Sequence, residues 1–107
     1  MVSIRDIKRY CDEIAALIKP RRIILFGSHA YGRPHPNSDV DVLVVLPASR
    51  RVGRHAAADI RMKVRCDFPV DMLVRGEKEV ARRVKAQELF ILDITEKGRV
   101  MYEAVNT

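Results

Sequence analysis

Apolar residues first recur at helical spacing along this chain and then gather in short runs. From Ser3 to Pro20 the pattern follows the roughly 3.6-residue period of an amphipathic helix, with Ser3 as the N-cap and Asp6 in position for a capping box. Pro20 ends this helix because its ring cannot continue the backbone hydrogen bonds. The predicted buried stripe comprises Ile4, Ile7, Cys11, Ile14, Leu17 and Ile18.

Three apolar runs farther along are predicted to be strands. The first spans residues 23–26 and ends at Gly27, the second runs from Asp39 to Leu46, and the third runs from Pro69 to Val74. Past its acidic start the second run is apolar at every position, which is typical of a strand covered on both faces. A helix predicted from about Val52 to Arg65 links the second and third runs, so we expect these two strands to be neighbours.

The last third of the chain is predicted to be mainly helical. Gly76 precedes a helical pattern from Lys78 to Lys97, which periodicity does not resolve into one helix or two. Gly98 is predicted to be the C′ cap, and residues 99–102 a short final strand. Strands that alternate with helices predict an α/β fold with a mixed sheet flanked by helices, as a single domain over residues 1–107.

The first predicted strand runs into a corner suited to phosphate. Gly27 has no Cβ, so the chain can turn sharply there and approach a ligand closely. Ser28 is predicted to be the N-cap of a short helix, whose free N–H groups would face a bound anion. The residues that break this helix and return the chain are Gly32, Pro34, Pro36 and Asn37.

Two carboxylates follow at the start of the second predicted strand. Asp39 and Asp41 are two residues apart, so their side chains leave one face of the strand about 7 Å apart. Like charges in an apolar strand are costly unless a cation neutralises them, and carboxylate oxygens suit Mg²⁺ or Mn²⁺. In the alternative reading, Ser38 and Asp39 merely close a turn and Asp41 points to solvent. The Gly27–Ser28 pair upstream favours the metal site.

This motif resembles that of the minimal nucleotidyltransferases of the DNA polymerase β superfamily, in which Gly-Ser, a spacer and Asp-X-Asp are followed by a third acid on a later strand. Asp71, in the third predicted strand, matches that third acid. The resemblance implies a small polymerase β-like fold. It also implies that Asp39, Asp41 and Asp71 are catalytic and hold two Mg²⁺ ions, with Mn²⁺ as a substitute.

The same resemblance implies a nucleotide site and an activity. Gly27 and Ser28 would hold the β and γ phosphates of ATP, and Arg33 is a further candidate for contact with the triphosphate. The reaction would transfer AMP to a hydroxyl group and release pyrophosphate. Members of this size resemble antitoxins that modify a tyrosine of a partner HEPN ribonuclease toxin and so neutralise it. The alternative is a non-catalytic antitoxin that inhibits its partner by binding alone.

Charge adds a preference for acidic partners. The chain has 20 basic and 14 acidic residues and a net charge of +6, which suits nucleotides, RNA or an acidic protein. Direct DNA binding is not expected, because no helix-turn-helix, zinc finger or aromatic platform is present. His29 and Tyr31 are interpreted as loop packing residues rather than nucleotide contacts. The basic residues at Arg50–Arg54, Arg61, Lys63 and Arg65 are either a solvated face or a contact surface.

Cysteines and histidines give no sign of a zinc site or a disulfide. Cys11 and Cys66 form no Cys-X-X-Cys pair and are expected to be reduced, buried small hydrophobes. The three histidines share no ligand spacing. No apolar run approaches the roughly 20 residues that a membrane span requires, so we expect a cytoplasmic protein with no membrane partner.

Overall fold

The elements follow one another in the order that the sequence predicts. The computed structural model describes residues 2–35 and 37–105, so the predicted helix breaker Pro36 lies outside the described residues. Within that part of the chain the elements are α1 (Ile4–Ile18), β1 (Arg22–Phe26), α2 (Ser28–Tyr31), β2 (Val40–Leu46), α3 (Ala56–Lys63), β3 (Val70–Gly76), α4 (Glu77–Lys85), α5 (Leu89–Lys97) and β4 (Arg99–Glu103).

The described strands form one mixed sheet in the order β3-β2-β1-β4. β2 and β3 are parallel neighbours joined through α3, as predicted, and the register pairs Val40 with Val70 through to Leu46 with Gly76. β1 pairs antiparallel with β2 on one side and with β4 on the other. This order places β2 in the interior of the sheet, beside the strand that carries Asp71.

Both faces of β2 are covered, which confirms the interpretation of its continuous apolar run. Val40, Val42 and Val44 belong to a core cluster that includes α1, while Leu43 and Val45 pack with α4 and α5 on the other face. Side chains alternate between faces along a strand, so Asp41 shares the face of Leu43 and Val45. The acidic start of β2 therefore lies on the side of the sheet that α4 and α5 cover.

α1 begins as predicted, but its buried stripe differs from the prediction at both ends. Ser3 Oγ accepts a hydrogen bond from the Asp6 N–H at 3.1 Å, and Asp6 Oδ2 accepts one from the Ser3 N–H at 3.4 Å. Ile4 and Leu17 are 41% and 52% exposed, because one lies in the first turn and the other at the edge of the buried arc. The residues that α1 buries are Ile7, Tyr10, Cys11, Ile14 and Ala15.

Several element boundaries differ from the predicted ones. α3 spans Ala56–Lys63 rather than Val52 to Arg65: its predicted start includes Gly53, a poor helix former, and Val64 is already extended. β2 begins at Val40, so Asp39 immediately precedes the strand, and β3 continues to Gly76. The predicted helical region 78–97 contains two helices, separated at a turn where Gln87 has a φ of 57°.

Gly98 has a different role from the predicted left-handed cap. Its φ of −68° and ψ of 164° are extended and open to any residue. A Cβ there would lie 2.3 Å from the Ile94 carbonyl oxygen and 2.6 Å from Ile24 Cγ2. Glycine is therefore required by the close packing of the α5 end against β1, which periodicity does not reveal.

Both cysteines are free thiols, as expected. Cys11 is buried, and burial raises the pKa of its thiol to about 12, so it behaves as a small hydrophobe. Cys66 is only partly buried, so the expectation that it is a buried hydrophobe is wrong, because it lies in the segment between α3 and β3. Among the described helices, none is long and apolar enough to cross a membrane.

Candidate active site

The corner after β1 is formed by Gly27 itself. Gly27 has a φ of 74° and a ψ of −159°, a combination that L side chains rarely adopt, and it is the N-cap of α2. Ser28 is thus the first helical residue rather than the predicted N-cap, because the glycine makes the turn and no side chain caps the helix. α2 ends at Tyr31, and Gly32 follows with a φ of 93°, as the predicted helix break requires.

The strand register brings the three acids to one end of the sheet. Asp41 lies directly opposite Asp71 in the parallel β2–β3 pair, and paired residues on adjacent strands share a face about 4.8 Å apart. Asp39 immediately precedes the strand, and its charge raises the pKa of the Asp41 carboxyl, so it lies near that acid. Asp39 and Asp71 are exposed, whereas Asp41 is partly buried. The predicted acids therefore occupy neighbouring positions, although Asp71 lies 30 residues beyond Asp41 in sequence.

The glycine corner touches the central acid. Phe26, the last residue of β1, is the register partner of Asp41 on the side away from Asp71. A Cβ built on Gly27 would lie 2.1 Å from Asp41 Oδ2, so a side chain at residue 27 would occupy the position of that carboxylate oxygen. The start of α2 and the acidic end of the sheet are therefore in direct contact.

Electrostatics show that the acids influence one another. Burial raises the pKa of the Asp41 carboxyl above its ordinary value, and the charges of Asp71 and Asp39 raise it further. His29 acts in the opposite direction. An arrangement that holds carboxylates together against their repulsion is one that a divalent cation would stabilise.

The carboxylate oxygens are ligands that suit Mg²⁺, but they do not form a complete coordination shell by themselves. As they stand, the described side chains include no group of three or more His, Cys, Asp or Glu residues arranged around one metal position. Magnesium sites that act on nucleotides generally use one or two carboxylates together with water and substrate phosphates. Carboxylates beside a helix N-terminus provide that incomplete set, and the phosphates of a nucleotide would complete it.

The other predicted motif residues have different surroundings. His29 Nε2 lies 3.2 Å from the Ser38 carbonyl oxygen, which fits its interpretation as a loop packing residue. Tyr31 is 48% exposed. Arg33 is exposed beyond the end of α2, and its backbone N–H donates to the Ser28 carbonyl at 3.3 Å. The corner thus positions the backbone of Arg33, while its side chain extends into solvent.

Sequence reasoning missed the contribution of α5 to this end of the sheet. Phe90 packs edge-on against Phe26, with ring centroids 6.0 Å apart, and Phe26 is the register partner of Asp41. The first turn of α5 therefore packs on the residue of β1 that pairs with Asp41. Apolar periodicity indicates that α5 packs on the sheet, but it does not indicate which strand end its first turn meets.

A cavity elsewhere does not have the features of a nucleotide site. It has a volume of about 520 Å³ and lies between α1 and the segment before β3. None of the three predicted catalytic acids lines it, and its charged lining mixes Asp6, Glu13 and Asp67 with Arg9 and Arg65. The acids instead lie where β2 and β3 begin, next to the Gly27 corner.

The raised pKa of Asp41 leads to a stability prediction. The folded pKa lies above the unfolded value, so folding stability falls as pH rises from the unfolded pKa through the folded one. Asp41→Asn should therefore have a higher urea midpoint than the wild type at pH 7 without divalent cations. The difference should disappear below about pH 3.9, the ordinary aspartate value, where both states are protonated. Equal midpoints at pH 7 would show that the ionised Asp41 carboxylate does not destabilise the fold.

A protein-family model and a solved structure of a nucleotidyltransferase are similar to this chain. The family model described as a nucleotidyltransferase domain matches residues 4–101. A candidate nucleotidyltransferase from Sulfolobus solfataricus is 20% identical, with 92% of this chain and 78% of that chain covered and a TM-score of 0.62. Curated protein sequences include no significant match.

Two further similar structures are described as toxin–antitoxin structures. One, solved with AMP-PNP, is 19% identical over 91% of this chain and 73% of that chain, with a TM-score of 0.63. The other, a mutant of the toxin–antitoxin MntA–HpeT, is 17% identical over the same shares, with a TM-score of 0.61. At these identities the likeness concerns the fold. The chain has the small polymerase β-like fold that its motif predicts, and the match over residues 4–101 shows that it belongs to the nucleotidyltransferase domain family.

Proposed function

We propose that this protein is a Mg²⁺-dependent nucleotidyltransferase that acts as an antitoxin in the cytoplasm. It transfers AMP from ATP to a tyrosine hydroxyl of a partner HEPN toxin and thereby neutralises it. The observation that carries the proposal is the register that pairs Asp41 with Asp71 while Gly27 contacts Asp41. Phosphate-binding backbone and metal-binding carboxylates are thereby adjacent, as nucleotidyl transfer requires.

The form of the site supports a protein as the acceptor. The acids lie where β2 and β3 begin, and two of them are exposed, so a macromolecular hydroxyl can approach them. Two proteins of similar fold are described as toxin–antitoxin structures, one of them with AMP-PNP. An antitoxin that uses ATP to modify its toxin accounts for the accessible acids and for the likeness to these two structures.

Each motif residue has a defined role in this reaction. The N–H groups at Gly27 and Ser28 bind the β and γ phosphates, and Arg33 is available to contact the triphosphate. Asp39 and Asp41 would hold Mg²⁺ together with the triphosphate, Asp71 would help to hold a second ion, and Asp71 would accept the proton of the acceptor hydroxyl. Bound Mg²⁺ supplies charge neutralisation and lowers the pKa of that hydroxyl. The tyrosine oxygen bonds to the α-phosphorus as the bond to pyrophosphate breaks.

The direct test uses the protein together with the product of the adjacent gene. Incubation with Mg-ATP should raise the intact mass of the neighbour by one or more AMP units, and fragmentation should locate them on tyrosine. Chelation of Mg²⁺ with EDTA should abolish the increase. An unchanged mass with active wild-type protein and a bound partner would contradict the proposal.

A second candidate function is inhibition by binding alone. It is favoured by one observation, namely that the described acids do not form a preassembled group of metal ligands. Under this reading the fold is retained as a docking module, and the partner is neutralised without modification. The two functions differ in whether protection survives loss of the acids.

A further inference from the structure

One side-chain hydrogen bond joins the phosphate corner to the acidic strand. His29, the second residue of α2, places Nε2 3.2 Å from the carbonyl oxygen of Ser38, nine residues later. A carbonyl oxygen only accepts hydrogen bonds, so Nε2 carries the proton and donates it. Ser38 immediately precedes Asp39, so the bond reaches the backbone that leads into the acids.

Ser38 is also fixed from within the spacer. Its N–H donates to the His35 carbonyl oxygen at 3.0 Å, and its hydroxyl accepts from the His35 N–H at 2.8 Å. These two bonds close the turn that the sequence indicates before Asp39. They hold the turn together internally, but they do not tie it to any other element. That connection comes from His29.

On the other side of Asp39, the strand is fixed by the sheet. The Val40 N–H donates to the Pro69 carbonyl oxygen at 2.9 Å, and the β2–β3 pairing continues from there. Asp39 thus lies between a sheet hydrogen bond at Val40 and the histidine link at Ser38.

We propose that His29 is a positioning residue. By donating a hydrogen bond to the Ser38 carbonyl, it fixes the position of Asp39 relative to the Gly27–Ser28 corner. This inference rests on the proposed function for its consequence, because it matters to catalysis only if Asp39 binds the metal of a nucleotide complex. Without the link, the backbone at Ser38 would have more freedom, and Asp39 would lose part of its preorganisation.

The test separates the donated bond from the bulk of the side chain. His29→Met keeps a side chain of comparable size without an N–H donor, His29→Gln keeps a donor of similar reach, and His35→Ala removes an exposed histidine from the same spacer. Hydrogen exchange of the peptide covering residues 37–41, measured without ligand, reports the order of the segment. Binding of Mn²⁺ in the presence of a non-hydrolysable ATP analogue reports the consequence for the site.

We expect His29→Met to exchange about tenfold faster in this peptide and to bind Mn²⁺ about tenfold more weakly, the loss expected for one hydrogen bond. His29→Gln and His35→Ala should stay within about threefold of the wild type. Two results would overturn the role of the donated bond. One is exchange at the wild-type rate in His29→Met. The other is an equal loss of protection and of Mn²⁺ affinity in His29→Met and His29→Gln when both are folded. Failure of wild-type protein to bind Mn²⁺ and nucleotide would instead count against the proposed function, while the exchange measurement would still decide the role of His29.

Discussion

Simultaneous replacement of Asp39 and Asp41 by asparagine is expected to lower the rate of AMP transfer by about 1000-fold or more, with the fold retained. Neutral amides cannot balance the charge of a divalent cation, and a loss of about 4 kcal/mol of transition-state stabilisation corresponds to this factor. The fold should be retained, because the substitutions remove two carboxylate charges that repel each other. At Asp41 they also remove a charge that burial disfavours. Intact mass of the partner measures transfer, and urea unfolding measures stability.

Asp59→Asn is the matched control for that experiment. Asp59 is an exposed acid in the first turn of α3, so its substitution removes one carboxylate charge without touching the sheet. It should transfer AMP at close to the wild-type rate. If the double variant transfers AMP as well as the control does, the metal site has been assigned to the wrong residues.

The same double variant separates the two candidate functions. A catalytic antitoxin should lose protection of cells that express the toxin, because the toxin remains unmodified. An antitoxin that acts by contact should still protect, since the rest of its surface is unchanged. Protection together with loss of AMP transfer would therefore establish inhibition by binding alone.

The position of the acids could be predicted because it depends on local rules. Asp39 and Asp41 adjoin the start of an apolar run that forms a strand, and a helical connection from β2 to β3 favours a parallel neighbour. The structure shows this adjacency and pairs Asp41 with Asp71. The order of elements could likewise be predicted, since apolar periodicity changes at each boundary between helix and strand.

Features that depend on contacts between distant segments could not be predicted in this way. The requirement for Gly98 arises from the packing of α5 against Ile24, and the position of Phe90 beside Phe26 arises from how α5 crosses the sheet. Ser28 was predicted to be the N-cap because serine favours that role, but the backbone turn at Gly27 takes that position. In each case a tertiary contact or an unusual backbone conformation overrides the local preference.

Gly27→Ala is expected to lower AMP transfer by about 100-fold or more. The new methyl group would lie 2.1 Å from Asp41 Oδ2, so the carboxylate has to rotate away from its position between Gly27 and Asp71. A displacement of about 1 Å in a catalytic group is sufficient for such a loss. Since a side chain at this φ of 74° and ψ of −159° is also strained, stability should fall by about 1–3 kcal/mol.

Gly32→Ala separates backbone strain from the contact with Asp41. Gly32 also has a positive φ, 93°, but a Cβ there would meet nothing within 4 Å. This variant should lose about 1–2 kcal/mol of stability from its left-handed conformation and retain most of its AMP transfer. Parallel urea unfolding curves and transfer rates compare the two variants. If Gly27→Ala and Gly32→Ala lose AMP transfer equally, backbone strain in α2 accounts for the loss. A loss confined to Gly27→Ala would mean that the glycine is needed to leave space for the Asp41 carboxylate.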